Sequence, residues 1–335
     1  MGAFPVGSKT IGPACLVFLD LSDPFRSKPI FSTQKLLRLI VTIGLFVALL
    51  FAVQLTIGWP ALLLPWTEAP LTGLLLALAL TFLSYGLRAV RLYSYFRIEI
   101  GNGWPLSLRL MLQHNLYNNL LPMRAGEISF PVLMSRYFKI PLGRSLPALL
   151  WFRLLDLHTL ALLVLIALPL PWGQQTSVVL VLAMLPLPWL MLQLTHRLRR
   201  RPREDDEPRW RAWLQHLLEG LPQGPALFWS SWFWTAVNWI VKMLVFAWVL
   251  GRFVDIPLSG ALMGAITGDL TSILPVNGLA GAGTYEAGVI AGLMPYGVDA
   301  KAGLAAAVNL HLFMLAATLL GGAVSLFIGR VPGRG

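Results

Sequence analysis

The sequence is poor in charge. Only 12% of its 335 residues are Asp, Glu, Lys or Arg, against 56% hydrophobic. A soluble domain carries about 25% charged residues. With a mean hydropathy of +0.69, this excludes a soluble globular chain and points to an integral membrane protein. The single cysteine, Cys15, excludes an internal disulfide and a cysteine-based metal site. The five histidines are scattered, without an H-E-x-x-H spacing. No metal, no other cofactor and no nucleic-acid partner is therefore expected. A signal-peptide layout is also lacking. The apolar run 14–19 is too short to cross a bilayer, and basic residues follow it rather than closely precede it. Met1-Gly2 does not open a myristoylation motif, because Val6 stands where Ser or Thr is needed.

What the sequence has is long apolar runs. Those at 36–58, 71–92, 145–170, 177–194, 227–250 and 302–328 are each of spanning length. The first covers about 34 Å at 1.5 Å per residue, enough for a hydrocarbon core of about 30 Å. Trp59 and Trp66 mark an interface, and 59–70 reads as a loop. Two further apolar stretches are broken. Residues 105–121 are interrupted by Gln113, His114, Asn115, Asn118 and Asn119 and stop at Pro122; the short run 128–138 follows. Residues 259–275 and 284–295 are divided by the sequence PVNGLAGAG. Half-helices meeting at a Pro/Gly break read as re-entrant hairpins, allowed where protein or water covers the freed backbone. Pro122, Gly126, Pro275, Gly281 and Gly283 are the backbone hinges. The fold class expected is an all-α polytopic membrane protein of about six full transmembrane helices plus two re-entrant helix pairs.

Lys and Arg crowd the N-terminus, 88–109, 136–144, 196–211 and the C-terminus, whereas 59–70 and 171–176 have none. By the positive-inside rule both termini are cytoplasmic. The first hairpin then enters from the cytoplasm and the second from outside. Residues 1–35 form a cytoplasmic tail, 36–329 a single transmembrane domain with a solvated basic loop at 196–221, and 330–335 a C-terminal tail. The two hairpins also resemble each other. Both have Leu-Pro, then Gly and Glu (Gly126-Glu127; Gly283 with Glu286), then a short helix, a Pro/Gly turn and a long span, with Arg153 opposite His311. Inverted repeats with broken helices at the midplane are a transporter pattern.

A charge at membrane depth is costly and usually faces a cavity or a partner. Arg124 and Glu127 are spaced i, i+3 on the half-helix after Pro122 and would share a face. An Arg beside a half-helix N-terminus suits a phosphate; the plainer reading is an ion pair closing the hairpin. Arg153 and Asp156, also i, i+3, lie 8 and 11 residues into their span. They read either as part of a binding site or as a packing ion pair. Asn118 and Asn119, with Asn115, either line the same cavity or bond helix to helix. Lys242 meets an anionic headgroup or pairs with Asp269 or Glu286.

The segments NNLLPMRAGEISFPVLMSR, WFRLLDLHTLALL and LPVNGLAGAGTYEAGV resemble the lysylphosphatidylglycerol synthase transmembrane-region family, a flippase-like family of inner-membrane proteins. Asn118, Pro122, Arg124, Gly126, Glu127, Arg153 and Asp156 match its first two motifs. Gly281, Gly283 and Glu286 match the third. Phe152 stands where an acid is often seen, and Phe130 and His311 where Arg is often seen. Large members add a soluble C-terminal aminoacyltransferase domain; this chain is expected to lack it and not to make lysyl-lipid. The resemblance implies movement of an anionic or isoprenoid-type lipid between leaflets of a bacterial-type cytoplasmic membrane. A lipid headgroup would sit between Arg124, Arg153 and the half-helix ends. Two alternatives stand beside this. One is a non-transporting subunit working with envelope-biogenesis proteins. The other is a lipid-modifying transferase, for which no catalytic motif is visible.

Overall fold

The computed structural model describes residues 33–121, 126–168, 173–199, 218, 221–271 and 278–329. The hinge residues Pro122 and Pro275, and Arg124 with them, lie outside the described residues. Two compact units divide the chain, Met1–Ile40 and Val41–Gly335. Of the first, residues 33–40 are described and are the opening turns of a helix, α1 (Thr33–Thr56). All that follows concerns the second.

Among the described residues the chain is helical, without strands. Five helices are long and apolar enough to cross a membrane: Leu71–Tyr95, Leu142–Ala167, Gln175–Leu194, Pro225–Leu250 and Ala300–Ser325. A sixth crossing results if α1 is counted with α2 (Trp59–Glu68), which meets it at 80°. The segment expected as a loop at 59–70 is thus largely helix. Pro60, in its first turn, needs no N–H partner there and pre-sets the helical φ. Leu62 is buried, and the Trp66 Nε1–H donates to Asn309 Oδ1 at 2.6 Å.

Next come α3 (Leu71–Tyr95) and the single turn α4 (Arg97–Ile100). The first broken pair is α5 (Trp104–Leu120) and α6 (Ser129–Phe138). The Lys139 backbone ends α6 in the left-handed region at φ 60, and Pro141 precedes α7 (Leu142–Ala167). Within the span Gln175–Leu194 the helix is interrupted only at Leu185 and Pro186, which separate α8 (Gln174–Met184) from α9 (Leu187–Arg199). The basic loop is described only at its edges. There Leu218 and Leu221 are buried against Leu192 and Phe228, so its C-terminal end is packed rather than solvated. Then follow α10 (Pro225–Leu250), the second broken pair α11 (Leu258–Thr271) and α12 (Thr284–Leu293), and α13 (Ala300–Ser325).

Each hairpin has its own apolar core. The first is built on Phe130, Met134, Trp151 and Phe152; the second on Phe246, Ile266, Val289 and Leu310. The α11–α12 pair is joined through glycine. A Cβ on Gly288 would fall 2.4 Å from the Thr271 side chain, and one on Gly292 2.7 Å from the Met263 carbonyl. Small residues four apart let two membrane helices approach this closely. In the first hairpin the tight approach is at the tip: a Cβ on Gly126 would lie 2.3 Å from Asn118 Cα.

Candidate functional site

The two hairpin tips and the middles of four long helices enclose one polar cavity of about 80 Å³. α3 supplies Arg88, α7 Arg153, α10 Trp239 and Lys242, and α13 His311. From the first hairpin come Asn115, Asn118 and Asn119; from the second come Asp269, Ala280, Gly281 and Tyr285. A smaller space of about 20 Å³ lies beside it, lined by Arg88, Arg91, His114, Asn118, Arg153 and Asp156.

The charges are organised by burial. Asp156 accepts from the Arg91 guanidinium at 2.6 Å and from Trp239 Nε1–H at 2.8 Å. Arg91 also donates to the Thr235 hydroxyl at 2.9 Å. Arg153 lies 3.4 Å from Glu127 and 3.8 Å from Asp156, so it joins the hairpin tip to the α7 acid. The Arg153 Nε–H is buried without an acceptor among the described residues. Lys242 pairs with Asp269, and its ammonium stands 4.9 Å from the Trp239 ring centre. Arg88 lies over Trp239 at 5.4 Å and makes no ion pair within 4.0 Å among the described residues. Among the described residues, four cations (Arg88, Arg91, Arg153, Lys242) therefore stand with three carboxylates (Glu127, Asp156, Asp269), Glu286 lying behind His311. The Coulomb balance favours an added anion.

The second tip is held differently. Glu286 caps α12 by accepting the Gly283 N–H at 2.7 Å, and its other oxygen meets His311 Nδ1 at 2.6 Å. His311 Nε2 meets the Ala280 carbonyl at 2.9 Å. Gly283 is at φ 84, a conformation that favours glycine.

Of the residues expected from the sequence, Asn118, Asn119, Arg153, Lys242 and Gly281 line the cavity. Glu127 and Asp156 brace Arg153, and Lys242 takes Asp269 rather than Glu286. Glu286 stands behind His311 and does not line the cavity. Sequence reasoning missed Arg88 and Arg91, taken as part of the basic cytoplasmic edge. The structure places them inside, because the helix runs on to Tyr95, and Tyr95 and Phe96 are both buried. Among the described residues no three of His, Cys, Asp and Glu gather as a metal-binding group.

Residues 36–322 match the family described as Lysylphosphatidylglycerol synthase TM region. No curated protein and no solved structure matches the chain.

Proposed function

The chain belongs to the lysylphosphatidylglycerol synthase TM region family, a membrane protein linked to lipid metabolism or transport, and from that premise we propose that it moves an anionic or isoprenoid-type phospholipid between leaflets without changing it covalently. The observation that carries this reading is the cavity bearing Arg88, Arg153 and Lys242, each within a long apolar helix rather than at its end. A headgroup phosphate there meets an excess of positive charge inside the helix bundle. Guanidinium groups suit it, since their planar donors match phosphate oxygens. A second feature favours a lipid over a free anion. The same two helices, α3 and α10, form an apolar groove of about 350 Å³ along Gly73, Ala77, Leu80, Leu244 and Trp248. A hydrocarbon chain fits that groove while its headgroup occupies the cavity. Broken helices around a central site are what alternating access uses. The reading sets the protein in a bacterial-type cytoplasmic membrane with both termini cytoplasmic, supported by the placement of Lys and Arg.

The test is native mass spectrometry of the detergent-purified protein, wild type beside Arg88→Ala and Arg153→Ala. An anionic or isoprenoid phospholipid should co-purify with wild type and be lost from both folded variants. Identical lipid profiles in all three would overturn the reading and favour a non-transporting subunit.

A further inference from the structure

Glu286 and His311 are both buried, with side-chain exposures of 3% and 4%. The Ala280 carbonyl only accepts, so the 2.9 Å contact requires a proton on His311 Nε2. The 2.6 Å contact between Nδ1 and Glu286 then requires a second proton, on the ring or on the acid. Remove it and either tautomer leaves one contact without a hydrogen. With Nε2–H kept, a bare Nδ1 faces a carboxylate; with Nδ1–H kept, a bare Nε2 faces a carbonyl. One of the two bonds must open. The turn they hold is strained, since Ala280 sits at φ 54 without being glycine, between Gly278 and the left-handed Gly281 at φ 84.

We propose that Glu286 and His311 form a one-proton site that locks the 278–283 turn when loaded and releases it when empty. The proton leaves to the polar cavity, which His311, Ala280 and Gly281 line. The other charged groups facing this cavity are already engaged or fixed. Lys242 of α10 pairs with Asp269 of α11, Arg153 of α7 pairs with Glu127, and Arg88 of α3 keeps its charge. On α12 the Tyr285 ring centre lies 4.6 Å from that of the imidazole, tilted by 38°, and its buried hydroxyl has no partner among the described residues. α5 brings only the amides of Asn115, Asn118 and Asn119, and α1 only Leu45, against Gly283. The site exchanges its proton with this cavity and so responds to the proton activity there. The proposal goes beyond lipid movement and does not need it.

The test uses the full chain in proteoliposomes, with Cys15→Ser and a reporter, Ala282→Cys, at a buried position of the turn. Maleimide labelling is normalised to Ile98→Cys, which is 96% exposed. From about pH 5 to about pH 9 the normalised rate should rise about tenfold or more with the steepness of one proton, the scale of losing a hydrogen bond to a charged group. Glu286→Gln should stay slow throughout, because a glutamine amide donates to a bare Nδ1 while its oxygen accepts from Gly283. His311→Ala should stay fast throughout. A flat wild-type profile, or a Glu286→Gln profile that follows wild type, overturns the proposal. A second measurement needs no reporter: potentiometric titration of wild type over the same range should take up one proton more than His311→Gln, and equal uptake refutes the site. A protein that moves no lipid can still pass both tests, and a lipid mover that fails them refutes this proposal alone.

Discussion

The two hairpins put the same pair of roles on the same frame and fill one of them differently. In each, an acid at the tip reaches the twelfth residue of the 26-residue helix that follows: Glu127 to Arg153 on α7, and Glu286 to His311 on α13. The contacts reproduce the sequence alignment that set Arg153 opposite His311. The first pair is partly exposed, at 25% and 32%, and its cation cannot lose its proton. The second is buried, and its partner is an imidazole, charged only when protonated on both nitrogens. One turn further along, α7 has Asp156 where α13 has Met314. The first copy therefore ties its tip to a fixed charge and to Arg91, while the second ties its tip to a histidine and pairs its other acid, Asp269, with Lys242 of α10. The two tips share this geometry, and the differences at these two positions change what each can hold.

The sharpest way to break this comparison is to place leucine at the two equivalent positions. Asp156→Leu leaves Arg91 buried without its carboxylate and Trp239 Nε1–H without its acceptor. Removing one partner of a buried pair costs about 3–5 kcal/mol. Met314→Leu conserves volume and leaves no buried charge unpaired, so it should cost less than about 1.5 kcal/mol. Thermal unfolding in detergent reads both. Equal losses would mean that the α7 charges are not buried as a pair.

A smaller effect separates how the hairpins are packed. Gly292→Ala puts a methyl 2.2 Å from Thr267 Oγ1 and 2.7 Å from the Met263 carbonyl, across the α11–α12 contact. Overpacking of this kind costs about 1–3 kcal/mol. Gly143→Ala, in the first turn of α7 after the first hairpin, meets nothing within 4 Å and should not lower the unfolding temperature, since alanine is the better helix former. A Gly292→Ala protein as stable as wild type would show that the second hairpin does not depend on glycine contact along its length.

The sequence carried the membrane class, the long spans, both breaks and the equivalence of Arg153 with His311, because apolar run length and Pro/Gly punctuation are local signals. It also marked Asn118, Asn119, Arg153 and Lys242, since polar groups inside apolar runs are conspicuous. Arg88 and Arg91 were misread because a basic residue near a helix end looks the same whether it faces solvent or the interior. Only the packing of Tyr95 and Phe96 beyond them decides which. The α2 helix was hidden by Pro60 and Pro65, which read as loop residues although the first sits where a helix tolerates it. The partners of each charge were not legible: Arg91 and Asp156 are 65 residues apart, and nothing local joins them.

The smallest effect tests whether a histidine at a hairpin tip is enough to make it titratable. The first hairpin also has one. His114 Nδ1 lies 2.9 Å from Ser129 Oγ, and that hydroxyl donates to the Gly126 carbonyl at 2.5 Å. Ser129 has one hydrogen and uses it on Gly126, so His114 donates through Nδ1–H. The ring thus pins the tip through a hydroxyl, as His311 pins the second tip through a carbonyl, but no carboxylate pairs with it among the described residues. Ser129→Ala removes this relay and should cost about 1 kcal/mol. The loss should be the same at about pH 6 and about pH 8, because the bonds it removes are complete with a single proton on the ring. A Ser129→Ala loss that changes with pH across this range would show that His114 also gains or loses a proton there. The contrast between the two tips would then rest on depth of burial alone, not on the acid that only the second one sets against its histidine.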